Sequence, residues 1–160
     1  MELLKRIHLL LAAEGTSAEL KEGEEITTFI ATGALGSRLK IAHHGNYLKV
    51  LVLIPIFAPE YRRAAMAEAI TRANWGLQAG CFEMDWSDGE LRLRSSMPVL
   101  DGNLTDEQIK CLIFTAWGVA KQYAQALMEV SVSEVSPELA ITRAEASWRE
   151  EHRNSKLTVH

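Results

Sequence analysis

The sequence is poor in the residues that cross-link or interrupt small folds, since its 160 residues include only two cysteines and four prolines. Cys81 and Cys111 are far apart and form no CxxC pair, which excludes a disulfide framework and a paired-cysteine metal motif. The longest apolar run, residues 50–59, falls well short of the about 20 residues that a membrane-spanning helix needs. The chain is long enough to fold around a single apolar core without a covalent cross-link.

An excess of positive charge is also missing. The chain has 17 lysines and arginines against 21 aspartates and glutamates, which gives a net charge of −4. Proteins that bind nucleic acid mainly through its phosphates carry a basic excess, so the composition argues against a nucleic-acid partner. The apolar stretch Ile7–Ala13 is short for a secretion signal, and Glu14 follows it directly. We therefore expect a cytoplasmic protein with free cysteines and no membrane partner.

Apolar spacing and turn signals predict an α+β domain over residues 1–130, followed by a C-terminal helix and a disordered tail within 131–160. The polar segment 16–25 is interpreted as a connection. Helices are predicted over 2–13, over 59–74, from 105 to about 128 and from 136 to about 152. A single strand is predicted over 26–32, and two hairpins are centred on the turns at 45–46 and 88–89.

The first hairpin has a register that can be worked out from its turn. Gly45-Asn46 is a two-residue turn signal, and centring the turn there pairs His43 with Leu48. One face of this hairpin is then almost wholly apolar and is predicted to face the core. The opposite face is mixed and carries the remaining side chains, Lys40, Ala42, His44, Tyr47, Lys49, Leu51 and Leu53.

The second hairpin is predicted to turn at Asp88-Gly89. With a two-residue turn the flanking residues pair as Ser87 with Glu90, Trp86 with Leu91, Asp85 with Arg92, Met84 with Leu93, and Glu83 with Arg94. Opposite charges then face each other across one side of the hairpin, and each such pair contributes roughly 0.2–1 kcal/mol. The resulting fold class is α+β, with a five-stranded antiparallel sheet and helices mainly on one face. The element order is α-β-β-β-α-β-β-α, followed by a C-terminal α-helix.

Part of the chain resembles the YbjN family of bacterial domains, which are described as sensory-transduction regulators. The matching segments are Ala69–Asn74, Gly80–Asp85, Asp88–Arg94, Met97-Pro98 and Leu104–Gln108. The resemblance implies a fold similar to the type III secretion chaperones, which dimerise and hold extended segments of a client protein. It brings no catalytic residues, because none is known for the family.

Three pairs of residues could carry chemistry, and each also has a purely structural interpretation: His43 and His44, Cys81 and Cys111, Glu83 and Asp85. Adjacent histidines on a strand point to opposite faces and cannot hold one metal ion together. The cysteines are interpreted as small apolar filler, and the two carboxylates as the acidic half of a charge ladder with arginines opposite them. We therefore assign no catalytic, cofactor-binding or metal-binding residue.

The candidate protein-binding residues are Tyr47, Leu51, Leu53 and Trp148. The first three lie on the mixed face of the first hairpin, with Thr27, Phe29 and Ala31 as potential neighbours. Trp148 is apolar in a strongly charged helix and is a candidate anchor for a second chain. The other tryptophans, Trp75, Trp86 and Trp117, are assigned to the core.

Two arrangements of the mixed face are possible. The face is exposed to solvent, in which case its apolar patch marks a binding surface, or the C-terminal helix covers it. We expect a non-enzymatic protein-binding module, chaperone-like or a regulatory adaptor, that forms a homodimer. Its protein partner would bind through the open sheet face or a sheet edge. The alternative is a small-molecule sensor or an enzyme with a pocket between the helices and the sheet.

Overall fold

The structure, a computed structural model, describes residues 2–21, 24–100 and 103–157, and of residues 152 and 154–157 only the backbone. Within these ranges it is an α+β fold with one antiparallel sheet. In chain order the elements are α1 (Glu2–Ala13), β1 (Glu19–Lys21), β2 (Glu25–Thr32), β3 (Leu35–His44), β4 (Tyr47–Phe57), a short 3-10 helix (Glu60–Arg62), α2 (Arg63–Trp75), β5 (Cys81–Met84), β6 (Glu90–Pro98), α3 (Asp106–Val132) and α4 (Pro137–Leu157).

The sheet has six strands and not the five that the sequence predicts, in the order β1-β2-β3-β4-β6-β5. The additional strand is β1, which pairs Glu19 with Thr27 and Lys21 with Glu25. Only Leu20 between them is apolar. A strand of three residues, two of them charged, shows no alternation of apolar and polar side chains that would predict it. We infer that β1 forms because the edge of β2 offers backbone hydrogen bonds to it.

The first hairpin has the predicted register, with His44 opposite Tyr47 and Ile41 opposite Val50. Its core face is buried as expected, with His43 as a half-buried exception. Helices α1, α2 and α3 lie on this buried side of the sheet and complete the apolar core. None of the helices in the described ranges combines the length and hydropathy that crossing a bilayer would require.

The second hairpin is shifted by two residues from the predicted register. Met84 pairs with Leu91 and not with Leu93 as predicted. The Asp85 carboxylate accepts hydrogen bonds from the Ser87 backbone N–H at 2.8 Å and from its hydroxyl at 2.6 Å. The Asp85 carbonyl accepts from the backbone N–H of Gly89 at 2.8 Å. These bonds build a longer loop that takes Trp86 out of the strand. A shift of two keeps the side chains that remain in β5 and β6 on their predicted faces, whereas Trp86 leaves the core face on which it was predicted.

Helix α3 begins at the predicted capping box. The Thr105 hydroxyl accepts from the Gln108 backbone N–H at 3.2 Å, and the Gln108 side chain accepts from the Thr105 N–H at 2.8 Å. The helix continues to Val132, beyond the predicted end near residue 128. Its last turns are held by the side chain of Arg62, whose Nε donates to the Val130 carbonyl at 2.9 Å.

Helix α4 packs on the outer surfaces of α2 and α3 and not on the sheet. Ala140 and Ile141 are its buried residues. The molecule therefore has three layers: the sheet, the layer of α1, α2 and α3, and α4. The helix runs to Leu157, although the sequence predicts disorder from residue 154; the part of that prediction that concerns 158–160 lies outside the described residues.

Candidate functional site

The face of the sheet opposite the helices, here called the open face, is not covered by α4. Along β4 the burial alternates, with even-numbered residues buried and odd-numbered ones partly or fully exposed. The odd-numbered residues from position 51 onward, Leu51, Leu53, Pro55 and Phe57, are all apolar and form what we call the apolar strip. Of the two arrangements that the sequence left possible, the structure therefore has the uncovered one.

Cationic side chains flank the apolar strip on both sides. The register places Leu51 between Lys40 of β3 and Arg94 of β6, and it places Leu53 between Arg38 and Arg92. Directly opposed residues in an antiparallel sheet have Cβ atoms about 5 Å apart. Each leucine thus lies between two positive charges, and Lys49 of β4 adds a fifth at one end of the strip.

The cations on the β6 side share one carboxylate. Glu83 accepts from Arg94 Nε at 2.6 Å and from Arg92 Nε at 2.8 Å. Burial raises the pKa of Glu83, but the hydrogen bonds and charges of the two arginines outweigh that effect, so its pKa lies below the ordinary value. The bond to Glu83 likewise raises the pKa of Arg94, with a smaller contribution from Cys81. Both arginines are therefore held in place beside the apolar strip.

The cations on the β3 side are held more loosely. Lys40 forms an ion pair with Glu25 at 3.4 Å. The Arg38 guanidinium lies over the Phe29 ring, 5.6 Å from its centroid, and Phe29 itself is 71% exposed. Phe29 is directly opposite Arg38 in the register and so extends the same row of side chains as Leu53.

The four predicted binding residues do not form one site. Leu51 and Leu53 are adjacent on the open face and half-buried, and Tyr47 lies on the same face, beyond Lys49, with 52% of its surface exposed. Trp148 lies elsewhere, in a groove of about 350 Å³ between α3 and α4, where it is half-buried. Of the candidate residues, only the three on β4 share a surface.

Two of the three tryptophans assigned to the core are on the surface instead. Trp75 is 93% exposed at the end of α2, and Trp86 is 59% exposed in the loop of the second hairpin. Only Trp117 is partly buried, and its indole N–H donates to the Ala31 carbonyl at 2.7 Å. Trp75 lies at the end of a helix, where periodicity gives no signal, and Trp86 was placed in a strand by a two-residue turn that the structure replaces with a longer loop.

The two edges of the sheet differ. At the β5 edge, the Asn74 side chain binds the backbone of Phe82. The side-chain amide of Asn74 accepts from the Phe82 backbone N–H at 2.8 Å and donates to the Phe82 carbonyl at 3.1 Å. At the other edge, β1 pairs only with residues 25–27 of β2. Among the described residues, no strand therefore lies on the outer side of β2 beyond Thr27, although Trp117 covers the Ala31 carbonyl.

The residues considered for chemistry have structural roles or none. The Glu83 carboxylate accepts hydrogen bonds from Arg92 and Arg94. The pKa of Asp85 is lowered chiefly by the hydrogen bonds that it accepts from Ser87. Cys81 accepts a contact from Arg94 at 3.3 Å, while Cys111 is exposed and is not core filler as predicted. No cluster of potential metal ligands occurs among the residues that the structure describes.

A family model described as "Putative bacterial sensory transduction regulator", named YbjN, matches residues 3–129. The chain belongs to the YbjN family. A similar solved structure, titled "Crystal structure of YbjN, a putative transcription regulator from E. coli", superposes with a TM-score of 0.56. It is 13% identical in sequence and covers 79% of this chain and 89% of its own, so the likeness is one of fold. No curated protein matches the chain.

The YbjN family description names a regulator and no catalytic activity. The matched residues include the sheet, α1, α2 and most of α3, whereas α4 lies beyond them. The open face is thus part of the family domain. The cations that flank the apolar strip were not recognised as part of a site from the sequence. Lys40 and Lys49 were predicted on this face of the first hairpin, but the placement of Arg92 and Arg94 depends on the pairing of β4 with β6, which are far apart in the chain.

Proposed function

We propose that this YbjN-family protein is a non-enzymatic binding module for a protein partner, which docks on the open face or at the β2 edge. The observation that carries this proposal is the apolar strip on an uncovered sheet face. An antiparallel sheet that packs helices on one face usually exposes polar side chains on the other face. A continuous apolar strip on the exposed face is therefore typical of an interaction surface.

We further propose a homodimer and a likeness to the type III secretion chaperones, which hold a client polypeptide. What supports the dimer is the length of unpaired β2 backbone beyond β1, because an exposed strand edge can pair with another copy. The proposed location is the cytoplasm, where Cys81 and Cys111 would stay reduced. We treat residues 131–160 as an addition to the domain formed by residues 1–130.

The alternative function, a sensor or enzyme with a pocket between helices and sheet, has less support. The space between these layers is filled by the apolar core. Among the described side chains, every buried polar atom has a hydrogen-bond partner, so none points unsatisfied into a cavity. The groove beside Trp148 lies between α3 and α4, and the one residue of the sheet region that lines it is Gly33, in the turn between β2 and β3.

The test replaces Leu51 and Leu53 by serine in the full chain. Affinity capture from a lysate of the source cell, read by mass spectrometry, should recover a partner with the natural protein and lose it with this double variant. Both side chains are only half-buried, so the urea midpoint should change little. A double variant with serine at Leu9 and Leu139, which are exposed on α1 and α4, is the matched control and should retain the partner.

Light scattering of the natural protein should give twice the mass of one chain. Equal capture of the same partner by both double variants would refute docking on the open face. A mass of one chain at all concentrations would refute the homodimer.

A further inference from the structure

We propose that the occupant of the open face is an acidic amphipathic helix of another protein, with an apolar stripe bordered by carboxylates on both sides. This inference rests on the proposed function, because it names the partner chemistry of the same surface. It comes from the arrangement of charge around the apolar strip, in a chain whose net charge is −4.

The first step concerns backbone hydrogen bonds. The face of a sheet offers side chains only, because the main-chain groups of its strands already bond within the sheet. An extended peptide lying on the apolar strip would leave its own N–H and C=O groups without partners, which is costly once water is excluded. A helix satisfies these groups internally, so it is the conformation that this face can accept.

The second step concerns dimensions. Neighbouring strands are about 4.8 Å apart, so β3 and β6 flank β4 with a separation of about 10 Å, which is close to the diameter of a helix with its side chains. The strip from Leu51 to Phe57 is about 20 Å long, and a helix of about 13 residues has that length. One helix seated over β4 therefore reaches the cations of both flanking strands.

The third step concerns charge. The three central strands carry five cations on the open face, Arg38, Lys40, Lys49, Arg92 and Arg94, against one acid, Glu90, at the end of the strip. In the residues that the structure describes, Arg92 uses only its Nε toward Glu83, and Arg38 is held only by the Phe29 ring. Both guanidinium groups therefore keep terminal N–H donors for a partner's carboxylates.

The same charges disfavour two other occupants. A second copy packed face to face would bring two sets of these cations together, and like charges across an interface are repulsive. A nucleic acid would supply phosphates, but the two side chains that lie between the cations are leucines, and bases stack on aromatic rings, which on this face occur only at its margins, at Phe29, Tyr47 and Phe57. The pairing of Glu83 and Glu25 with three of the five cations also lowers the charge available to a phosphate backbone.

The experiment measures binding of a fluorescently labelled peptide of about 14 residues that forms a helix with a leucine stripe bordered by glutamates. A second peptide carries lysine at every glutamate position, and single-stranded DNA and RNA oligonucleotides complete the set. The natural full-length protein should bind the glutamate peptide and not the lysine peptide. The affinity should fall as the salt concentration rises from about 0.05 M to about 0.5 M.

The variant removes one cation from each side of the strip, Arg38→Gln with Arg92→Gln, and should weaken binding at least about tenfold. The control removes two exposed cations from α4, Arg143→Gln with Arg153→Gln, and should change the affinity less than about twofold. It makes the same change in net charge at a distant site. The mass in light scattering should be the same for the natural protein and for the serine double variant at Leu51 and Leu53.

Four results would overturn the inference: no binding of the glutamate peptide, equal binding of the lysine peptide, tighter binding of an oligonucleotide, or an unchanged affinity in the Arg38 and Arg92 variant. A halved mass in the Leu51 and Leu53 variant would also overturn it, because the open face would then be the contact between two copies. If a protein partner from the lysate is still lost in that variant, the proposed binding function survives any of these results. If that partner is retained, docking on the open face itself fails, and the β2 edge is the remaining docking surface of the proposed function.

Discussion

At the scale of single residues, Gly89 shows how one position connects two parts of the fold. Its φ is +82°, a conformation that favours glycine, and its carbonyl accepts from the Ala58 backbone N–H at 2.9 Å. A Cβ atom added at Gly89 would lie 2.1 Å from the Ala58 carbonyl oxygen. The loop of the second hairpin and the end of β4 therefore approach each other as closely as they do because no side chain separates them.

Replacing Gly89 by alanine should lower the free energy of unfolding by at least about 2 kcal/mol, because the unfavourable φ and the backbone clash add. The measurement is urea denaturation at neutral pH. Gly118→Ala is the control, since Gly118 lies within α3 with nothing near its Cβ position. That substitution should stabilise by about 0.5–1 kcal/mol. A Gly89 variant as stable as the natural protein would contradict the close approach.

At the scale of elements, the β5–β6 hairpin combines a structural and an electrostatic task. Glu83 on β5 holds Arg92 and Arg94 on β6, so the short edge strand fixes the two cations that border the apolar strip. A carboxyl whose folded-state pKa is lowered adds stability above its unfolded pKa. That stability is lost as the pH falls through the folded-state pKa.

Glu83→Gln should therefore lower stability at pH 7 by at most about 1 kcal/mol, because the ion pairs are partly exposed. The difference from the natural protein should begin to shrink below about pH 4.5, the ordinary value for this carboxyl, and should vanish once Glu83 is protonated in both states. Urea midpoints measured from pH 7 down to pH 3 test this. Glu150→Gln, which removes an exposed carboxylate from α4, is the control and should change stability at pH 7 by less than about 0.5 kcal/mol. A difference for Glu83→Gln that stays constant between pH 7 and pH 3 would refute the charge argument.

The two hairpins show which elements the sequence could predict. Gly45-Asn46 fits a two-residue turn with no competing side chain, and the structure has the predicted register. At Asp88-Gly89 the carboxylate of Asp85 bonds to Ser87 and lengthens the loop, a local competition that alternation does not register. Because the shift is even, the predicted faces were correct for the residues that stay in the strands, although the predicted pairs were wrong and Trp86 lies in the loop.

The candidate site was predictable only in part, for a related reason. Leu51 and Leu53 follow from alternation within one strand, which is local information. Their cationic neighbours on β6 follow from the pairing of two strands that α2 and β5 separate in the chain, and no short-range pattern encodes that pairing. Trp148 was predicted to bind a partner because it is an apolar residue in a charged helix. In the structure, α4 packs on α3 and the Trp148 side chain lies in the groove between the two helices.

At the scale of the whole molecule, the outer helix α4 contributes to stability, whereas the sheet carries the proposed binding surface. Helix α4 adds buried surface to the helical layer and leaves the open face untouched. Several residues in the segments that carry the resemblance to the YbjN family have structural roles: Asn74 binds the backbone of Phe82, Gly89 allows the approach to Ala58, and Thr105 caps α3. The same segments also contain Glu83, Arg92 and Arg94, which border the apolar strip.

This division predicts that α4 affects stability but not binding. Ile141→Ala removes a buried side chain at the contact with α2 and α3 and should lower the free energy of unfolding by about 2–4 kcal/mol. Binding of the glutamate peptide should be unchanged under conditions where the variant is folded. Thr142→Ala, exposed at the next position, should change stability by less than about 0.5 kcal/mol. Loss of peptide binding in a folded Ile141 variant would show that the layers are coupled.

The amide of Asn74 has a consequence for how large an assembly can become. Because it takes up the outward donor and acceptor of Phe82, one border of the sheet has no room for another strand at that position. Copies that joined edge to edge would then use the border formed by β2, and a symmetric pair would use that border in both. Such a sheet would not extend beyond two chains, because the Asn74 amide occupies the other border at Phe82.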